Sequence, residues 1–185
     1  AASATTQLQY LDKTTYSGYL DVSVDLYGPP GKDGQYAAPK RYPAQLLFER
    51  PDRFRLVLRP GAKDEDRAVA EAGIVRWLDV ATGFSGKEVA SKVTDPLALA
   101  LLGSAGELLR FTASKDLALG KGSKISGARL RSNTWGTGVE NGLVWFSSDG
   151  KLIGFEFLLA DRTKVLVSVR LFKQNVPTKP GDFQL

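Results

Sequence analysis

The chain has 185 residues, enough for one domain with a sizeable core, and its 43% hydrophobic and 24% charged content is that of a soluble globular protein. It contains no Cys, no His and no Met, which excludes disulfides, thiolate nucleophiles, Cys/His zinc centres and imidazole general bases. The formal net charge is +5, but the basic residues are scattered rather than blocked, so nucleic acid is not an expected partner.

No apolar run is long enough to cross a bilayer as a helix. The opening AASATT fits the mature end of a chain whose leader was cut after small residues. A cysteine-free chain suits an oxidising compartment as well as the cytosol. If the native protein carried a lipid anchor, the acylated cysteine would lie upstream of Ala1.

In chain order, residues 3–14 read as a short helix with Leu8, Leu11 and Thr15 on one side. From Tyr16 the period changes to two. Tyr16, Gly18, Leu20, Val22, Val24 and Leu26 share one face and Ser17, Tyr19, Asp21, Ser23 and Asp25 the other, an amphipathic strand. GPPGKDGQ at 28–35 is a turn-rich connection, and a return strand over about 41–50 carries Ala44, Leu46 and Phe48 on one face.

In FERPDRFRLVLRPG (48–61), Phe54, Leu56 and Leu58 alternate with Arg53, Arg55, Val57 and Arg59. A half-buried strand explains that alternation; it leaves Arg50, at the bend before Pro51, without a role. After the polar loop at 61–66, strands are expected over 67–72, 74–80 and 84–89. Asp95 and Pro96 then start a helix, as a capping carboxylate and a first-turn proline should. Leu97, Leu101 and Leu102 form its stripe, while Gly103 and Gly106 predict a break before a second turn through Leu108.

The stretch 112–142 is rich in Gly, Ser and Lys and offers only a strand over 125–132. GLVWFSS, Asp149-Gly150 and KLIGFEFLLA form a hairpin around the favoured Asp-Gly turn. A last strand over 163–172 places Val165, Val167, Val169 and Leu171 on one face. LVWF (143–146) and FEFLL (155–159) are apolar on both faces. Either a thick core or a curved sheet around a greasy cavity accounts for that.

The order of these motifs resembles the LolA-like superfamily, the periplasmic carriers of outer-membrane lipoproteins. The residues that carry the resemblance are Phe48, Arg50, Pro51 and Phe54, then the strand from Ile74 to Trp77 and the apolar helix from Pro96 to Leu102. Asp149, Gly150 and Phe155 follow, and VRLFKQNVPTKPGDF closes the set. Ala72-Gly73 stands where that family has Asp-Gly, and 112–140 does not follow its pattern.

The resemblance implies a mainly β (α+β) fold over 1–185. A strongly curved antiparallel sheet of roughly ten strands would form an incomplete barrel, with short helices as a lid over an apolar cavity. It implies a soluble, extracytoplasmic, periplasmic carrier, expected as a monomer, that holds acyl chains of lipids or lipoproteins without cofactor or metal. A membrane-bound donor or acceptor protein would be its partner. Arg50 would bond to lid backbone as a latch; a surface ion pair with Glu49 or Asp52 is the alternative.

An acyl site needs apolar lining, and the candidates are Leu46, Phe48, Phe54, Leu56, Leu58, Trp77, Leu97, Leu101, Trp145, Phe155 and Phe157; core packing would use the same residues. A non-catalytic envelope sensor or protein-interaction module on the same fold is the other reading. Catalysis is not expected. The Asp64-Glu65-Asp66 cluster lies in a polar loop, GKGSK (120–124) lacks the first glycine of a phosphate loop because position 115 is Lys115, and the serines show no paired base.

Overall fold

The computed structural model describes residues 2–131 and 139–185. Ser132, the end of the strand expected over 125–132, lies outside them. Eleven strands form one antiparallel sheet: β1 (Ser17–Tyr27), β2 (Lys40–Glu49), β3 (Arg53–Leu58), β4 (Asp66–Glu71), β5 (Ile74–Asp79), β6 (Ser85–Val89), β7 (Ala113–Asp116), β8 (Ile125–Leu130), β9 (Val139–Ser147), β10 (Leu152–Leu159) and β11 (Lys164–Gln174). Their spatial order is β6-β5-β4-β3-β2-β1-β11-β10-β9-β8-β7, so the sheet is open and β6 and β7 are its two edges. It is an incomplete barrel.

The topology is two meanders, β2 to β6 and β7 to β11, joined at the centre where β1 pairs with both β2 and β11. The link between the two edge strands must therefore cross the whole sheet. Helix α2 (Pro96–Leu109) makes that crossing, on the face that carries Leu20, Val22, Leu46, Phe48, Phe54 and Phe155.

Asp95 caps α2 by accepting from the Ala98 amide at 2.9 Å, with Pro96 in the first turn. The expected break at Gly103 and Gly106 does not occur; α2 runs 14 residues without interruption. All eleven residues from Leu99 to Leu109 are buried. Packing on every side outweighs a penalty of about 1 kcal/mol per glycine.

Helix α1 (Ala4–Thr14) begins at Ser3, whose hydroxyl accepts from the Thr6 amide at 3.2 Å, and it buries Ala4 and Leu8. Thr15 is its C-cap rather than part of its apolar face. It lies against β7, β8 and β9. The unassigned stretch thus contains β7, short and mostly exposed, beside the anticipated β8.

Across the centre, Leu20, Leu46, Leu56, Ala68 and Trp77 are in register and share the helix-covered face. Arg55, Leu47 and Tyr19 stand opposite one another on the other face. On β11 the anticipated alternation fails after Val169. A bulge at Arg170 shifts the register, so Phe172, not Leu171, comes to lie opposite Leu20 and packs against Phe48; Leu171 is left 42% exposed.

Candidate functional site

Arg50 leaves the end of β2 just before Pro51, with its backbone amide bound to the Tyr16 carbonyl at 2.8 Å. Its side chain, four-fifths buried, brings the guanidinium to both helices. Nε and Nη2 donate to the Leu108 carbonyl at 3.3 and 3.2 Å. Nη1 donates to the Asp12 carbonyl at 2.6 Å and lies 3.0 Å from the Asp12 carboxylate. The plane also stands over the Phe111 ring, 5.3 Å from its centre.

Leu108 and Asp12 both lie in the last turn of a helix, where carbonyls have no intrahelical donor and the helix dipole is negative. One cation therefore caps two helix ends and ties them to each other. Its ion-pair partner is Asp12, from α1. Glu49 is occupied by Arg53 and Thr178 instead.

At the other end of α2 an apolar cleft of about 240 Å³ opens between its first turns and strands β3 to β5. Leu56, Leu58, Trp77, Leu97 and Leu101 line it, five of the eleven candidates, together with Ala68 and Ala98. Trp77 is 41% exposed at the mouth, where its ring covers Gly86; a Cβ there would sit 2.5 Å from the indole. The rim holds Asp66, Asp95 and Arg67, and Arg67 is already paired with Glu65 at 2.6 Å. Burial, together with the nearby Asp79, Asp64 and Asp95, raises the Asp66 carboxyl above its ordinary range despite Arg59.

Leu46, Phe48, Phe54, Phe155 and Phe157 lie deeper, in the packed core, at 2% exposure or less. They do not line the open cleft. Trp145 is on the opposite face of the sheet: Val144 and Phe146 point to the core, while Trp145 covers Gly127 and neighbours Leu117. The double apolarity of LVWF thus comes from a covered outer surface as well as the interior. Strand alternation alone could not say which face was which.

Glu107 carried no role in the sequence reading, although an acid inside PLALALLGSAGELL was the available signal. It is buried at 3% exposure, next to Leu108, and accepts from the Thr112 amide at 3.0 Å and the Thr112 hydroxyl at 2.8 Å. Burial pushes its carboxyl up to about 7, against those two hydrogen bonds. Among the described residues no group of His, Cys, Asp or Glu could hold a metal ion.

Two solved structures resemble this fold over nearly their whole length. A LolA superfamily protein from Nitrosomonas europaea matches with a TM-score of 0.55 and 10% identity, over 100% of this chain and 99% of that one. The chain has a LolA-like fold. A putative outer membrane lipoprotein-sorting protein domain from Vibrio parahaemolyticus matches with a TM-score of 0.51 and 10% identity, over 97% of this chain and 94% of that one. No family profile and no curated protein matches the sequence. In this chain the Arg50 clamp and the α2 cleft lie at opposite ends of the same helix. Among the described residues no helix is long and apolar enough to cross a membrane.

Proposed function

We propose that the protein is a non-catalytic, extracytoplasmic carrier that takes the acyl chains of lipids or lipoproteins beneath α2, and that Arg50 latches α2 when the site is empty. The observation that carries this reading is the Arg50 clamp on Leu108 and Asp12. It fixes the far end of a helix whose near end overhangs an apolar cleft. The likeness in fold to a lipoprotein-sorting domain supports the same cargo class.

The cleft, about 240 Å³, falls short of the ~300 Å³ where small-molecule pockets usually begin, so a full acyl chain enters only if α2 moves. Each methylene leaving water contributes about 0.8 kcal/mol, and ten or so would outweigh the few hydrogen bonds that hold the clamp. A ligand that gains more than the clamp costs shifts the protein between two states. Val80 and Phe84, exposed on the β5–β6 turn close to Trp77, provide an apolar surface for hand-over to a membrane or a membrane-bound partner.

The test is uptake of a synthetic diacylated peptide by the purified protein, read by native mass spectrometry, together with solvent extraction of whatever co-purifies. One peptide per chain is the expected result. Neither uptake nor any co-purified acyl species would overturn the reading.

A further inference from the structure

β10 and β11 pair from Leu158 with Lys164 to Gly154 with Ser168, where the ladder ends. Beyond that point each strand keeps only its other neighbour: Leu152 pairs with Phe146 of β9, and Leu171 to Gln174 pair with β1. A bulge stands on each side of the parting. Ile153 is the extra residue between Leu152 and Gly154, and Arg170 between Val169 and Leu171. Bulges bend a strand and terminate pairing, and two of them facing each other hold this seam open.

The seam encloses a cleft of about 530 Å³, more than twice the space under α2, and reaches inward to Leu11 of α1. Its walls are apolar, with Leu152, Ile153, Val169 and Phe172, and its rim carries Lys151 and Arg170. Both cations are exposed. No ion pair or hydrogen bond within the described residues engages the Arg170 side chain, and Lys151 has only a long, exposed ion pair with Asp149 at 3.8 Å. The mouth under α2 is the reverse: its one cation, Arg67, is held by Glu65, and two carboxylates stand beside it.

We propose that the β10–β11 seam is a second lipid site, specific for an anionic phospholipid, whose acyl chain lies against Leu152, Val169 and Phe172 and whose phosphate is held by Lys151 and Arg170. Greasy walls open to water match an acyl chain. Exposed cations at the rim match phosphate oxygens. This rests on the acyl-binding reading of the fold and sharpens it by separating an anionic from an uncharged ligand. Because Leu11 lines the seam and Asp12 receives Arg50, a lipid here bears on the same turn of α1 that the clamp holds.

The experiment is photocrosslinking of the full chain with phosphatidylglycerol carrying a diazirine on one acyl chain, with phosphatidylcholine of the same chains as the comparison and adducts mapped by peptide mass spectrometry. Phosphatidylglycerol is expected to label 151–153 and 169–172. The double variant Lys151→Glu, Arg170→Glu should lower that labelling about tenfold, the worth of a charge-assisted contact, with its melting temperature showing that it still folds. Adducts confined to Leu97 and Leu101 would overturn the seam site and leave the carrier reading standing. No adducts anywhere would count against both. Equal labelling of the seam by phosphatidylcholine would overturn the anionic headgroup.

Discussion

Arg50 and Leu108, 58 residues apart, are joined by two hydrogen bonds from one guanidinium to one carbonyl, and the third arm of the same fork takes Asp12 on the other helix. Removing the side chain leaves the part-buried Leu108 carbonyl and the exposed Asp12 carbonyl without this donor. Arg50→Ala is therefore expected to lower stability by about 2–3 kcal/mol, with faster amide exchange at the ends of both α1 and α2. Arg50→Lys should recover only a minority of the loss, because a single ammonium cannot span two helices as a planar fork does. A lysine variant with wild-type exchange at both helix ends would refute the clamp.

Much of this architecture was legible from residue order. Period-two alternation located β1, β2 and β3, the Asp149-Gly150 turn located the β9–β10 hairpin, and Asp95-Pro96 marked the start of α2 within a residue. What escaped was tertiary. The glycines in α2 read as a break because local propensity says nothing of a helix enclosed on all sides. Leu171 read as inward because a bulge inverts parity without leaving a trace in composition. Trp145 read as lining because either face of a strand can be covered. Arg50 stood out as unexplained, but its partners come from the far end of one helix and from another helix altogether, which spacing cannot reveal.

The buried Glu107 makes stability depend on pH in a definite direction. Its carboxyl sits at about 7 in the folded chain against 4.5 when exposed, so the folded state holds the proton that the unfolded state gives up. The stabilisation is complete below the unfolded value and is lost as pH rises through 7, a difference of about 3 kcal/mol. The carboxyls of Asp25 and Glu65 shift the other way, held below their ordinary range by hydrogen bonds from Arg41 and from the Gly61 amide respectively. Glu107→Gln keeps an acceptor for Thr112 and removes the charge. Urea midpoints at about pH 5 and about pH 8 should differ in the parent and converge in the variant. Equal midpoints in the parent would show that Glu107 is not protonated at neutrality.

The β4–β5 hairpin turns on Ala72 and Gly73, both at positive φ, 52° and 79°. That geometry favours Asn or Asp followed by Gly, and an alanine there carries the left-handed penalty of its Cβ. Ala72→Asn is expected to raise stability by about 1 kcal/mol and the melting temperature by about 2–4 °C. Ala72→Gly should also stabilise, by less, since it relieves the strain but frees the unfolded chain. An unchanged melting temperature for both would show that the turn is not strained.

Ala68 offers the sharpest separation of stability from binding. It lies in register between Leu56 and Trp77, on the helix-covered face, and lines the cleft beneath α2. A leucine at this position projects its added methyl groups into a space of about 240 Å³ bounded by Leu97 and Leu101. Those groups leave water, so Ala68→Leu should fold at least as stably as the parent, with a gain of up to about 1 kcal/mol. It should also occupy the volume that the first methylenes of a cargo need. Loss of diacylated-peptide uptake with an undiminished melting temperature is the expected pair of results. Undiminished uptake would mean that acyl chains do not enter beneath α2, and would move the search for the primary site to the β10–β11 seam.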